Sequence, residues 1–322
     1  MAIDRTIESL KGRDFLTLKD FSKEELESIL DLSSKIKKEH REGTKTPYLA
    51  GKTLGMLFEK PSTRTRVSFE VAIHQLGGMG LFLSSNDLQL KRGEPIKDTA
   101  RVLSGYLDGI MVRTFSHDTI TELSDYARVP VVNGLTDLYH PCQVMADLLT
   151  IKEEFDSFSG LSLTYLGDGK NNMAHSLLYG CSKMGINITI GAPKKYYPRK
   201  DIVNEAKEIA SKQGSEIKIT NDPVEAVEES QVLYTDVWVS MGDEAEKEER
   251  LQDLSSFQLN DDLLAKAHQD AIALHCLPAH RDEEITDSVM EGKKSRVFEE
   301  AENRLHAQKG ILVSLMMDGG RG

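Results

Sequence analysis

No window of this 322-residue chain holds the roughly 18 uninterrupted apolar residues that a membrane-spanning helix requires. Cysteine is equally scarce. Cys142, Cys181 and Cys276 are too few and too scattered for a disulfide framework or a zinc ribbon, which fits a reducing compartment. Basic charge is in deficit: 40 Lys and Arg face 52 Asp and Glu, a formal net charge of −12. That balance argues against a nucleic-acid binder, whose affinity rests on phosphate neutralisation, so any anion site must be local. Residues 1–10 carry charges and no apolar signal-peptide core, so the cytoplasm is the expected location. What remains is an ordinary globular composition, 39% hydrophobic and 29% charged, on a chain longer than one hydrophobic core usually serves. Two domains are expected.

The most informative stretch is Phe58-Glu59-Lys60-Pro61-Ser62-Thr63-Arg64-Thr65-Arg66. A short apolar run at 53–58 suits a buried strand, and Val67, Phe69, Val71, Ala72 and Leu76 supply the apolar positions of a following helix. Hydroxyls and free backbone N–H groups thus converge at a helix start, where the helix dipole and unpaired donors favour an anion. Arg64 adds a planar, permanently charged fork that can hold two phosphate oxygens. A plain N-cap with two solvated arginines is the simpler reading; two arginines alternating with hydroxyls at such a junction favour a phosphate cradle. The stretch lacks the Gly-Lys pair of a Walker loop.

Strand and helix signals then alternate along the chain. Helices are expected at 23–39, 96–107, 119–127, 140–155 and 297–317, and strands at 81–83, 109–112, 129–133, 161–166, 187–191, 232–235 and 271–274. This alternation predicts an α/β protein with two doubly wound parallel-sheet domains, since parallel strands need crossover helices on their faces. A linker at 156–160 divides a first domain, 1–155, from a second, 156–322. Residues 84–94 are polar and follow neither period, a loop long enough to reach elsewhere.

Active loops in such sheets lie beyond the carboxyl ends of the strands. Arg113 follows one strand and His140-Pro141-Cys142-Gln143 opens a helix after the next; alone, a surface salt bridge and a helix-start imidazole would account for Arg113 and His140. Gly167-Asp168-Gly169-Lys170-Asn171-Asn172 follows the strand at 161–166. It lacks the third glycine of a dinucleotide fingerprint, and the next strand ends without the ribose-binding acid, which weakens a nicotinamide dehydrogenase reading. Asp236 closes a strand ahead of Ser240-Met241-Gly242, and His275-Cys276-Leu277-Pro278 closes another. His280 lies near, but the spacing matches no standard zinc pattern, so no metal is expected, and a buried, inert Cys276 is the plain reading. The acidic run 243–249 reads as a solvated, mobile face.

Five ordered motifs carry a resemblance to the aspartate/ornithine carbamoyltransferase family: Ser-Thr-Arg-Thr-Arg at 62–66, His-Pro-x-Gln at 140–143, Asp-x-x-x-Ser-Met-Gly at 236–242, His-Cys-Leu-Pro at 275–278 and Glu-Asn-Arg at 302–304. The third and fourth, and the segment at 167–172, resemble the ornithine branch; the fifth resembles the family's C-terminal signature. The resemblance implies carbamoyl transfer from carbamoyl phosphate to the δ-amine of ornithine, without a cofactor. It implies that Ser62, Thr63, Arg64, Thr65, Gln89, Arg113, His140, Gln143, Cys276, Leu277 and Arg304 bind carbamoyl phosphate. Arg113 and His140 would polarise its carbonyl oxygen, and Cys276 would help remove a proton. Asn172, Asp236, Ser240 and Met241 would hold ornithine, the last two on a loop that closes over it. The final helix, from about 295, would return to the first domain. The implied partners are these substrates and further copies of the chain: a homotrimer, or a multiple of trimers, in which Gln89 reaches a neighbour's site. Lys91 stands where the family carries glycine. A sibling transferase using another amine such as putrescine, or a non-catalytic homologue, are the other readings.

Overall fold

The structure, a computed structural model, describes residues 5–88, 93–239 and 244–317. Two compact units divide the chain. One is formed by the chain up to Leu149 and from Asn303 on; the other is Thr150–Glu302. The first holds four parallel strands, β1 (Thr53–Phe58), β2 (Met79–Ser84), β3 (Gly109–Arg113) and β4 (Val131–Leu135), in the order β2-β1-β3-β4. The second holds five, β5 (Ser162–Leu166), β6 (Asn187–Gly191), β7 (Ile217–Thr220), β8 (Val232–Thr235) and β9 (Ile272–His275), in the order β7-β6-β5-β8-β9. In each sheet the chain winds one way from its first strand, then crosses back. The direction reverses between β1 and β3 and between β5 and β8, and such a switch point opens a crevice at the strands' carboxyl ends. The pairs Phe58↔Arg113 and Leu166↔Thr235 mark those two mouths.

Strands buried on both faces need continuous apolar runs, and β3 and β8 are buried at every position. In the first unit Leu57, Ala100, Ile110, Val112, Ile120, Leu123 and Val131 share one core cluster; in the second, Leu166, Ala226, Leu233, Ala273, Ile285 and Val289 do. Each Leu, Ile or Val among them contributes about 1.5–3 kcal/mol on leaving water.

Several expected boundaries shift. The helix expected to reach residue 107 is Ile96–Leu103, because the Ser104 hydroxyl bonds back to Ala100 O at 2.7 Å and Gly105 closes a turn on Val102 O. The strand expected at 129 starts at Val131, since Pro130 has no N–H for the ladder and only its carbonyl serves Ile110. The acidic run is not a featureless face: Glu244–Glu246 is a 3-10 turn, and helix Lys247–Leu254 follows with Glu248 and Glu249 in its first turn, where the dipole favours acids.

Within the first unit, helix Lys23–Arg41 meets residues 303–316 of the last helix at a glycine. A Cβ on Gly310 would lie 2.0 Å from Ser33 Oγ and 2.9 Å from Ile29 O, so only glycine permits this approach. Lys37 Nζ donates to Asn303 Oδ1 at 2.6 Å beside it. Arg304 is thereby fixed in the first unit.

The residues before helix Lys23–Arg41 align along β4: Phe15 N donates to Val131 O at 2.8 Å, and Asp14 Oδ1 accepts from Val131 N at 2.7 Å. Burial pushes the Asp14 carboxyl up to about 6, the Val131 bond opposing and Asp125 reinforcing. A carboxyl raised from 3.8 binds its proton more tightly in the fold, so its contribution is present below about pH 4 and is lost as pH rises through about 6. Asp14→Asn keeps the acceptor and removes the charge. It should raise Tm at pH 8 and lose that advantage by pH 4; a Tm difference that does not change with pH would contradict this.

Candidate active site

At the mouth between β1 and β3, Ser62 caps helix Thr63–Gln75: its backbone is extended (φ −164°, ψ 115°) and its Oγ accepts from Thr65 N at 3.2 Å. The N–H groups of Thr63 and Arg64 are left outside the helix ladder. Thr65, fully buried, is the hub. Its Oγ1 accepts from Ser62 Oγ at 3.1 Å, Arg113 Nη1 at 3.3 Å and Arg304 Nη2 at 2.6 Å. Arg304 Nη1 also donates to Gln143 Oε1 at 3.1 Å, and Gln143 Nε2 donates to Asp147 Oδ1 at 2.9 Å. Two guanidinium groups thus converge on one hydroxyl.

His140 is buried just ahead of helix Pro141–Phe155. Burial, then the charges of Arg304 and Arg113, hold its imidazole well below the usual histidine range, so it is neutral at pH 7. Cys142 in the same motif is inert, its thiol pushed up to about 12 by burial. Arg113 is the last residue of β3 rather than the first beyond it, and the register shift between Val112 and Arg113 turns this strand end. The two arginines of the motif diverge. Arg66 lies 3.9 Å over the Phe82 ring and pairs with Glu70, whereas Arg64, half-buried, makes no ion pair with any described residue.

At the mouth between β5 and β8, Asp236 is buried. Its Oδ1 accepts from Cys276 Sγ at 3.0 Å and Val237 N at 2.8 Å, and its Oδ2 accepts from Asn171 Nδ2 at 3.1 Å. Burial raises its pKa; His275, the Cys276 thiol and the Val237 N–H oppose that rise, and Glu284 adds to it. Asn171 caps helix Asn172–Met184 through Ala174 N, and its amide also reaches Tyr165 Oη at 2.6 Å. Sequence reasoning singled out Asn172, which is the helix's first residue; Asn171 is the residue that grips Asp236. The signal was available, since an asparagine before an apolar-periodic run is a preferred cap.

His275 Nδ1 accepts from Leu277 N at 2.9 Å, which leaves Nε2–H to donate to Glu284 Oε1 at 3.0 Å. Leu277 has φ +57° and a cis bond to Pro278. Donor atoms of Asp236, His275 and Cys276 lie within 4.8 Å of one another, as do those of His280, Glu283 and Glu284. In the first group both ring nitrogens of His275 and the Cys276 thiol are engaged in the hydrogen bonds just given. Among the described residues no helix is long and apolar enough to cross a membrane.

Residues 13–153 match the carbamoyl-P binding domain of aspartate/ornithine carbamoyltransferases, and residues 159–315 match their Asp/Orn binding domain. The chain belongs to the aspartate/ornithine carbamoyltransferase family. Within it, the chain is 55% identical over 311 residues to an ornithine carbamoyltransferase of Oceanobacillus iheyensis, spanning 97% of this chain and 96% of that one. It is 56% identical over 307 residues to one from Anoxybacillus flavithermus, covering 95% and 98%. Among solved structures, ornithine carbamoyltransferase from Pyrococcus furiosus superposes with a TM-score of 0.93 at 48% identity, covering 95% of this chain and 98% of that one.

Of the residues that the carbamoyltransferase motifs singled out, Ser62, Thr65, Arg113, Gln143 and Arg304 form one bonded network, with Thr63 and Arg64 on the helix it caps and His140 beside it. Asp236 and Cys276 form another, with Leu277 tied to His275 and Asn172 adjoining Asn171. Gln89, Ser240 and Met241 lie outside the described residues.

Proposed function

We propose that this chain transfers the carbamoyl group of carbamoyl phosphate to the δ-amine of L-ornithine, giving L-citrulline and phosphate. The observation that carries the reading is the acceptor half-site: Asp236, buried and bonded to Cys276 and Asn171 at the mouth between β5 and β8. A buried carboxylate suits a cationic amino group, whereas it would repel the carboxylates of aspartate.

In this reading the first unit holds carbamoyl phosphate. Arg64 and the N–H groups of Thr63 and Arg64 take the phosphate, with Ser62, Thr65 and Gln89. Arg113, neutral His140 and Arg304 direct donors at the carbonyl oxygen, where charge builds as the tetrahedral centre forms, and Gln143 accepts from the carbamoyl amino group. Asn172, Asp236, Ser240 and Met241 hold ornithine. Asp236, its pKa raised by burial, takes the proton from the attacking nitrogen with the Cys276 thiol bonded to it. A C–N bond forms, and the C–O bond to phosphate breaks with its electron pair leaving on phosphate. The leaving group comes with the substrate, so the reaction draws on no cofactor.

Incubation with carbamoyl phosphate and L-ornithine tests this. Citrulline and inorganic phosphate should appear in equal amounts; phosphate release that ornithine does not accelerate would overturn it. We place the activity in arginine metabolism and in the cytoplasm, which three cysteines outside any disulfide fit.

The same reading makes the working form a homotrimer or a multiple of it. β2 is an edge strand whose Met79, Leu81 and Phe82 are exposed together with Val67, an apolar surface suited to a second copy. Gln89 would then serve the neighbouring subunit. Arg64→Ala and Gln89→Ala chains, each inactive, should regain activity when dissociated, mixed and reassociated, because some sites in the hybrids carry neither lesion. Proven subunit exchange with no recovery would remove the shared site.

A further inference from the structure

Arg250 lies on helix Lys247–Leu254, outside every motif named above, yet its guanidinium is nearly buried at 11% side-chain exposure. Its Nη1 donates to Asp168 Oδ2 at 2.7 Å and to the carbonyl of Trp238 at 3.3 Å, and its Nε reaches Glu246 at 3.1 Å. Asp168 is buried as well, at 7%. These two contacts join different loops of the second sheet's mouth: Asp168 follows β5 and Trp238 follows β8. Asp168 shapes its own loop, with Oδ1 accepting from Lys170 N at 2.9 Å and its carbonyl from Asn171 N at 3.3 Å. Asn171 in turn grips Asp236, two residues before Trp238.

The helix carrying Arg250 is itself anchored. Lys195 pairs with Glu249 and Asp253, Tyr196 Oη donates to Asp253 Oδ2 at 3.0 Å, and the Arg250 guanidinium lies 5.5 Å from the centre of the Tyr196 ring. The loops are also packed too closely to shift independently. A Cβ on Gly167, whose φ is +125°, would stand 3.0 Å from Trp238 Nε1.

We infer that the Arg250–Asp168 pair is a positioning device for the acceptor: it clamps the loops after β5 and β8 so that Asn171, Asn172 and Asp236 present one fixed surface to the amine substrate. This rests on the acceptor half-site proposed above. Neither residue touches the reacting atoms; both act through Asn171 and Trp238. Removing one partner of a buried ion pair leaves the other's charge uncompensated, so the loss exceeds that of a surface pair. A clamp on ground-state geometry moves the acceptor's KM more than it moves donor binding.

The test uses the full chain, with Arg250→Met, Arg250→Lys, Asp168→Asn and the Met/Asn double variant, assayed with carbamoyl phosphate and ornithine. Arg250→Met should raise the KM for ornithine at least tenfold, while calorimetric affinity for carbamoyl phosphate stays within twofold of wild type. Arg250→Lys keeps the charge and one donor, so it should recover part of that loss. The double variant should be no worse than the worse single one, because the two residues form one unit. Wild-type turnover of ornithine confirms the half-site independently of the clamp. If wild type turns over ornithine and folded Arg250→Met keeps its KM, the clamp is wrong. If ornithine KM and carbamoyl phosphate affinity weaken in parallel, the pair only stabilises the fold, and the inference fails.

Discussion

Asp236→Asn is expected to lower kcat with ornithine by roughly 10²- to 10⁴-fold, the range that a positioned proton acceptor supplies. Asparagine keeps the shape and can still accept from Val237 N and Cys276, so the fold should survive. The negative charge and the basicity are lost, and with them the bond that Oδ2 accepts from Asn171 Nδ2. The wild-type pH profile carries a companion signature. As the proposed proton acceptor Asp236 would have to be ionised, and burial raises its pKa, so activity should fall on the acid side above the ordinary carboxylate range. The Cys276 thiol donates to this carboxylate and steadies its ionised form. Cys276→Ala should therefore reduce turnover less than Asp236→Asn does and move the acid limb to higher pH. A folded Asp236→Asn enzyme with kcat within threefold of wild type would remove Asp236 from the chemistry.

Arg64→Ala should weaken carbamoyl phosphate binding by about 10²- to 10⁴-fold, taking roughly 1.5–3 kcal/mol for each of two charged hydrogen bonds to phosphate. Stability should hardly change, because Arg64 is half-buried and pairs with no described carboxylate. Arg66→Ala is the matched control. Its guanidinium is spent on the Phe82 ring and Glu70, so carbamoyl phosphate affinity per folded site should be unchanged. Calorimetry of both variants separates the two arginines; equal losses would mean that the motif binds anions by diffuse charge alone.

Why Arg64 and Thr65 could be read from the sequence is physical: strand, cap, hydroxyl and helix lie within a dozen residues, and each leaves a local signature. Thr65's role as the common acceptor of Arg113 and Arg304 could not be read that way. Those partners stand 48 and 239 residues away, and only the packing of Gly310 against Ser33, with the Lys37–Asn303 bond beside it, fixes Arg304 in the first unit. Arg304 entered the expected site through family resemblance, with no local pattern to mark it. The Arg250–Asp168 pair spans 82 residues and went unseen, since an arginine in an acidic helix looks like any solvated charge. Alternation of strand and helix gave the two parallel sheets directly. Strand order, and with it the switch points that locate both mouths, depends on pairings between distant segments that periodicity does not encode. The misplaced strand start at 129 had a readable cause, the missing N–H of Pro130, which outweighed the β-branched residue before it.

Acceptor choice tests the central claim most directly. Carbamoyl phosphate is offered to the wild-type enzyme with an equimolar mixture of L-ornithine, putrescine and L-aspartate, and the carbamoylated products are separated and counted. A site built on Asp236, Asn171 and Asn172 should give citrulline as the dominant product. Dominant N-carbamoylputrescine or carbamoyl aspartate, in an enzyme that is otherwise active, would contradict it.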